Sequence, residues 1–263
     1  MADFAVTILG SGTCVPSLKR SSCSALVTIG GSKVLFDSGA GTMRRMLETG
    51  TTVFEISHIF YSHFHPDHTS ELIQLLFANK YPDSTRRKKP LVIIAGNGFS
   101  SFFSGLKAAY GNWIQLAPGL MKTIELYTNG PDSRRFENFR VESLPVEHNP
   151  ESLAYRITGP NEKSVVYSGD TDYSDNLVAL AKDTDVMICE SALPDPLKVD
   201  GHLTPSIAGE IATRANVGKL VLTHFYPECD QADIEKQCRK TYSGPLVLAV
   251  DLLRIDLAAA DIA

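Results

Sequence analysis

Cysteine pairs, long apolar runs and a large excess of either charge are missing from this sequence, and each absence closes off a class of function. The five cysteines, Cys14, Cys23, Cys189, Cys229 and Cys238, are odd in number and form no C-x-x-C pair. Neither a disulfide framework nor a cysteine zinc knuckle is indicated. Cys189, inside "DVMICES", reads as a buried core thiol. No apolar stretch approaches bilayer length, and the amino-terminal "MADFAVTILGSG" lacks the basic region of a secretory leader. The chain is therefore expected to be cytoplasmic and off the membrane. A formal net charge of −5 supplies no global attraction for nucleic acid or an anionic surface. Low-complexity linkers are absent as well, so the 263 residues, 43% hydrophobic, are expected to form one domain spanning residues 1–263.

What is present is an alternation of short β-rich runs with helical patterns. "FAVTILG", "SALVTIG" and "KVLFD" open as strands, and "GTMRRMLETG" follows as a helix closed by Gly50. "ISHIFYS", "LVIIA", "KTIEL", "FRVESLPVEH", "LAYRIT", "KSVVYSGD", "DVMICE", "KLVLTHF" and "PLVLAV" read as further strands. Helices are expected after residue 70, from about Phe99 to Tyr110, and in "NLVALAKD", "TPSIAGEIATRAN" and "DQADIEKQCRK". Two sheets packed face to face with helices outside satisfy this pattern. "HIFYSHFHP" and "KLVLTHFYP" echo each other, which points to a duplicated half. The basic run Arg86, Arg87, Lys88 and Lys89 reads as a solvated loop, with phosphate steering as the alternative.

The scarcest useful residue is also the most concentrated. Of seven histidines, His63, His65 and His68 fall inside six positions of "FYSHFHPDHTSEL", together with Asp67. Residues two apart on extended backbone face one side, so His63 and His65 can address one point. Pro66 then turns the chain, and Asp67 and His68 open a helix facing a second point nearby. Nitrogen and oxygen donors without sulfur suit zinc and also tolerate manganese or iron. Four side chains cannot complete two coordination shells. The distant candidates are His148 after "RVESLPVE", Asp170 after "KSVVYSG" and His224 after "KLVLT", all at the ends of apolar strands. Asp170, with two oxygens, can bridge both ions.

From "LGSGTCVPSLKRSS" and "LFDSGAGT" through "SHFHPDH", "VEH" and "YSGDT" to "CESA", "GHLTP" and "THFYP", the sequence resembles the metallo-β-lactamase superfamily and, within it, the ribonuclease Z-like branch. The resemblance implies an α/β fold, an αββα sandwich of two mixed sheets with outer helices, and a dinuclear metal site between the sheets. It implies one ion on His63, His65, His148 and Asp170, and the other on Asp67, His68, Asp170 and His224. Asp37 in "LFDSG" matches an aspartate that supports ligand histidines from behind. His202 in "GHLTP" matches a histidine beside the scissile phosphate, and Glu190 in "CESA" resembles the acid that orients it. A homodimer is also implied.

Two adjacent cations make water a nucleophile near neutral pH. Asp67 can take up the proton, and His202 can stabilise or protonate a departing alkoxide. The expected activity is a dinuclear-metal-dependent hydrolase, a phosphodiesterase of the ribonuclease Z-like type acting on a small or nucleotide phosphodiester. A transfer-RNA 3′ processing endonuclease, with structured RNA as substrate, is the first alternative. Against it, only residues 149–169 separate His148 from Asp170, with no room for the long arm of processing members, and Ala40 replaces the glutamate of their "GEGT". A lactone, thioester or aryl-ester hydrolase is the second alternative, weakened because "HTSEL" and "VEHNPES" lack the glycine signatures of such enzymes. The third, a noncatalytic nucleic-acid-binding or assembly subunit, fits poorly with a ligand pattern that is fully occupied.

Overall fold

Fourteen short strands and seven helices build two layers of sheet between outer helices, in a computed structural model that describes residues 4–80 and 87–257. The first sheet contains β1 (Phe4–Gly10), β2 (Ser24–Ile29), β3 (Ser32–Phe36), β4 (Ile56–Phe60), β5 (Leu91–Gly96) and β6 (Met121–Leu126). The second contains β7 (Asp132–Arg135), β8 (Arg140–Pro145), β9 (Leu153–Thr158), β10 (Ser164–Tyr167), β11 (Val186–Glu190), β12 (Leu220–Thr223) and β13 (Leu246–Leu248). β14 (Arg254–Asp256) returns to the first sheet, beside β1. Each sheet thus has seven strands, in the orders β14-β1-β2-β3-β4-β5-β6 and β13-β12-β11-β10-β9-β8-β7. The helices are α1 (Thr42–Glu48), α2 (Pro66–Thr69), α3 (Leu72–Lys80), α4 (Phe99–Tyr110), α5 (Asp175–Ala181), α6 (Pro205–Arg214) and α7 (Ile234–Cys238).

The two sheets follow one plan. In each, three antiparallel pairings lead to a switch strand, β3 or β10, and three parallel pairings follow. β4 and β11 are the first parallel neighbours of those switch strands, and β12 is the second. The echo between "HIFYSHFHP" on β4 and "KLVLTHFYP" on β12 therefore joins strands that occupy different places in the plan. It is a likeness of strand ends, not of equivalent strands.

Burial on both faces explains why the strands read as near-continuous apolar runs. On β2, Ala25, Val27 and Ile29 face the other sheet, and Leu26 points to the helical side; on β3, Val34 and Phe36 face inward and Leu35 outward. The outer side of the first sheet is covered by Met46 of α1, by Leu72, Leu75 and Leu76 of α3, and by Phe99 of α4. Between the sheets, Phe36 packs on Phe60, Tyr155 and Tyr167 with ring centroids 5.2–5.8 Å apart. This aromatic block lies directly beneath the strand ends that carry the polar motif.

Three sequence expectations change. β7, "DSRR", has no apolar alternation and is a strand only because it pairs along β8. α7 begins later than the helical pattern suggests, because a 3₁₀ turn takes Pro227–Gln231 and Asp233 caps the helix by accepting from Lys236 N at 2.9 Å. Arg87 is not part of a solvated loop: it is 2% exposed and ties Asn79 Oδ1 to the carbonyls of Ile56 and Val53. Lys88 and Lys89 are exposed, and Arg86 lies outside the described residues. Among the described residues no helix is long and apolar enough to cross a membrane.

Candidate metal centre

The polar motif sits where β4 runs out of the first sheet. His63 and His65 stand on extended backbone with ring centroids 4.6 Å apart. His65 takes the position before α2 at φ −60° and ψ 151°, and Pro66 opens the helix with the φ its ring enforces. Asp67 and His68 fall in that single turn, where Thr69 Oγ1 donates to His65 O at 2.9 Å. The segment after β3 braces the turn from below: Ser38 N donates to His68 O at 2.7 Å. A Cβ at Gly39 would lie 1.9 Å from Asp67 O, so only glycine lets the two backbones meet.

The second sheet supplies the opposite wall. His148 follows β8, Asp170 follows β10, Glu190 ends β11, and His224 follows β12 at φ 60°. Donor atoms of His63, His65, His148 and Asp170 all lie within 4.8 Å of one another, as do those of Asp67, His68 and His224. Asp170 stands between the groups. Its Oδ1 is 3.2 Å from His68 Nε2 and 3.3 Å from His224 Nε2, and its Oδ2 is 3.7 Å from His63 Nε2. All seven candidate ligands converge on one rim.

The hydrogen bonds test whether this set suits metal. His63 Nδ1 donates to Ser62 Oγ at 3.0 Å, His68 Nδ1 to Asp37 Oδ2 at 2.7 Å, and His148 Nδ1 to Gly201 O at 2.8 Å. Each bond fixes a tautomer and leaves Nε2 with a bare lone pair. Nε2 of His63, His68 and His224 and Oδ1 of Asp170 are then buried with no hydrogen-bond partner among the described residues. His148 Nε2, by contrast, accepts from His65 Nδ1 at 3.3 Å and is not orphaned. Converging, buried, unpaired acceptors are costly unless a cation joins them. The residues fit divalent metal.

The local electrostatics agree. Burial pushes the His63 imidazole well below its ordinary value, and the neighbouring His68 adds to the effect. Burial also disfavours protonated His68, yet Asp170 and Asp37 outweigh it and hold that ring well above the usual range. Burial alone would raise Asp170, but His224, His68 and His63 hold its carboxyl well below the usual carboxylate range.

Asp37 lies behind the candidate ligands. It is fully buried, at φ 57°, and belongs to neither donor group. Oδ1 accepts from Ser62 N at 2.8 Å, while Oδ2 accepts from Ser62 Oγ at 2.8 Å, Tyr167 OH at 2.8 Å and His68 Nδ1 at 2.7 Å. His202 stands at the other side, its ring stacked on His224 at 5.6 Å and 17°. Its Nδ1 donates to Glu190 Oε1 at 3.0 Å and lies 4.0 Å from Asp170 Oδ2. His202 is thus within ligand range of Asp170 and His224, but the Glu190 bond claims its Nδ1. Burial pushes His202 down, and Glu190, followed by Asp170 and Asp67, raises it to about 9. Glu190 is 1% exposed and also accepts from the backbone N–H groups of Thr171, Leu203 and Ala192 at 2.8–3.2 Å.

Several contributors escape the sequence reading. Ser62 lies inside the motif and relays His63 to Asp37, a role that only the folded contact reveals. Tyr167 carries no signal beyond its apolar strand. Asp172 Oδ2 accepts from Gly201 N at 2.9 Å and from Lys198 Nζ at 2.7 Å, which fixes the loop that presents both the Gly201 carbonyl and His202. Gly201 adopts φ 80°, with His148 Nδ1 3.2 Å from where a Cβ would be, so the loop turns here and passes tight against the His148 ring. The Asn149 amide lies 3.1 Å from His65 Nε2.

A family profile described as the beta-lactamase superfamily domain matches residues 32–225, more than half of the chain and nearly all of this site. The chain belongs to the metallo-β-lactamase superfamily. It is 28% identical over 276 aligned residues to a protein named ribonuclease Z from Mycobacterium bovis, covering 96% of this chain and 98% of that one. The metallo-β-lactamase fold protein YhfI of Bacillus subtilis superposes with a TM-score of 0.82 at 22% identity, over 97% of this chain and 100% of that one. The short form of human tRNase Z superposes with a TM-score of 0.78 at 24% identity, over the same shares of each chain. Two mixed sheets with outer helices are the metallo-β-lactamase fold, and membership in this superfamily makes the chain a hydrolase with a site for divalent metal.

Proposed function

We propose that this metallo-β-lactamase-fold hydrolase is a phosphodiesterase for a small or nucleotide phosphodiester. In this reading His63, His65, His148 and Asp170 hold one ion, and Asp67, His68, Asp170 and His224 hold the other. The observation that carries it is His202, an imidazole anchored to buried Glu190 at 3.0 Å and stacked against the ligand His224. Two divalent cations, most simply zinc, supply Lewis acidity and acidify water when bound. Seven donors on two rigid sheets hold that charge in place with little reorganisation.

Glu190 fixes the His202 ring through Nδ1 and favours its protonated form, which leaves Nε2–H for the substrate. That group can hydrogen-bond a nonbridging phosphate oxygen or give its proton to the leaving oxygen. A carbonyl substrate calls less for a standing cation of this kind. Asp67 is 11% exposed at its side chain against 3% for Asp170, so it is the better placed of the two to accept a proton from water and pass it to solvent. The shared core between the sheets supports reading residues 1–263 as one domain.

Transfer-RNA 3′ processing is the second reading, favoured by relatives named ribonuclease Z. The connection from His148 to Asp170 argues against it: beyond a short turn it holds β9 and β10, joined by residues 159–163, and nothing that protrudes to clasp a folded RNA. Remote contacts of that kind contribute to positioning at the reacting bond. The metal-loaded chain should hydrolyse bis-p-nitrophenyl phosphate and a cyclic nucleotide faster than a lactone or an aryl sulfate, and cut precursor transfer RNA poorly. Efficient, site-specific cut of the precursor would restore the second reading, and lactone turnover without phosphodiester turnover would overturn both.

A further inference from the structure

Beyond the two donor groups and His202, one side of the site has a wall with its own chemistry. Tyr226 follows the ligand His224 by two residues, is partly buried, and stands edge-on to His202 and His224 with ring centroids 6.5 and 6.2 Å away. Its backbone is fixed by the bond from Tyr226 N to Ala192 O at 3.0 Å. Its hydroxyl reaches Cys14 Sγ at 3.6 Å. Cys14 lies on the loop after β1, which is held beside the strand end by the bond from Phe225 N to Ser11 O and by Arg20 over the Phe225 ring. The loop leaves Leu18 fully exposed and Val15 37% exposed. An aromatic ring with a thiol at its edge, beside the imidazole proposed to serve the leaving oxygen, suits a planar leaving group better than a charged or purely polar one.

We propose that Tyr226, with the Cys14 loop beside it, forms the leaving-group subsite and selects a planar aromatic group, a nucleobase or an aryl ring, that stacks on it. The subsite rests on the phosphodiesterase reading for its place in turnover, though not for its existence as a binding surface. Tyr226 is a specificity residue: it acts on substrate affinity and leaves the metal ions alone.

Two measurements on the metal-loaded full chain test it. In the first, KM is compared between p-nitrophenyl ethyl phosphate and bis-trifluoroethyl phosphate. Tyr226→Leu should raise KM for the aryl ester by roughly 5- to 150-fold, the range for one lost stacking contact, with little change for the alkyl ester. Tyr226→Phe, which keeps the ring, should behave as the parent. Equal effects on both esters, or none on either, would overturn the proposal. In the second, Cys14 serves as a reporter, because it is exposed while the other four cysteines are buried. Its labelling by N-ethylmaleimide, read by mass spectrometry, should be slowed by adenosine monophosphate in the parent and not in Tyr226→Leu. Absence of protection in the parent would overturn the subsite. Should no phosphodiester be turned over, protection that vanishes in Tyr226→Leu would retain the subsite and remove only the phosphodiesterase reading.

Discussion

The two sheets share a plan and divide the site unequally. Each switch strand delivers a buried aspartate at its end, Asp37 after β3 and Asp170 after β10. Asp37 has both oxygens occupied by hydrogen-bond donors, whereas Asp170 Oδ1 has no hydrogen-bond partner among the described residues. The same topological position therefore yields a support in one sheet and a bridging candidate in the other. What decides is the set of donors around it. Ser62 and Tyr167 turn Asp37 into an anchor, and three imidazole edges make Asp170 a centre of negative charge. The first sheet adds its candidate ligands in one contiguous peptide, and the second adds one from each of three strand ends.

This contrast is broken most directly by removing each aspartate. Asp170→Ala should lose both ions to a large extent and abolish turnover, because it stands between the two donor groups. Asp37→Ala should retain metal with about 10- to 100-fold weaker affinity. Its stability should also fall, since Tyr167 OH and the Ser62 donors lose their acceptor. Metal titration and thermal unfolding of the two variants read these outcomes, and equal metal affinity in both would erase the distinction.

A smaller effect is expected at His202, on the second-sheet side. His202→Ala should keep both ions and lower the rate constant by about 10² to 10⁴ with little change in substrate binding. The defect should shrink for p-nitrophenolate, a good leaving group, if the imidazole acts as an acid. A uniform defect across leaving groups would assign it electrostatic stabilisation instead. Metal loss in this variant would make it a ligand.

The smallest effect concerns the histidine that the site leaves out. His58 on β4 bridges the sheets away from the metal centre, with its ring against Phe136 and Phe139 at 4.6 and 5.1 Å. Burial lowers it from 6.5 to about 4. As pH falls below 6.5, the unfolded chain binds the proton first, so stability declines until the folded protein also protonates near pH 4. The slope from this one group cannot exceed about 1.4 kcal/mol per pH unit. The difference in urea midpoint between the parent and His58→Gln should narrow or reverse from pH 7 to pH 5. The paired comparison cancels the titration of the metal-site histidines, and a constant difference would refute the assignment.

How much of this was legible in the sequence follows the same division. The first-sheet candidates are adjacent in the chain, so spacing alone points to them: His63 and His65 by strand geometry, Asp67 and His68 by the proline turn. His148, Asp170 and His224 are each an ordinary polar residue after an apolar run; their strand-end positions make them candidates, and only the family resemblance divides them between two ions. The strands followed apolar runs well because both faces of the central ones are buried. β7 was invisible for the opposite reason, since four polar residues become a strand only through a partner. Arg87 misled because a basic run is usually solvated, whereas here one member satisfies the carbonyls of Val53 and Ile56 in the core. Ser62, Asp172 and Gly201 act through contacts with distant residues and leave no local trace.

The most direct test of a dinuclear centre shared by both sheets is anomalous diffraction from crystals of the metal-loaded protein. Two peaks are expected, one among His63, His65 and His148 and the other among Asp67, His68 and His224, with Asp170 between them. A single peak, or peaks away from these residues, would contradict it.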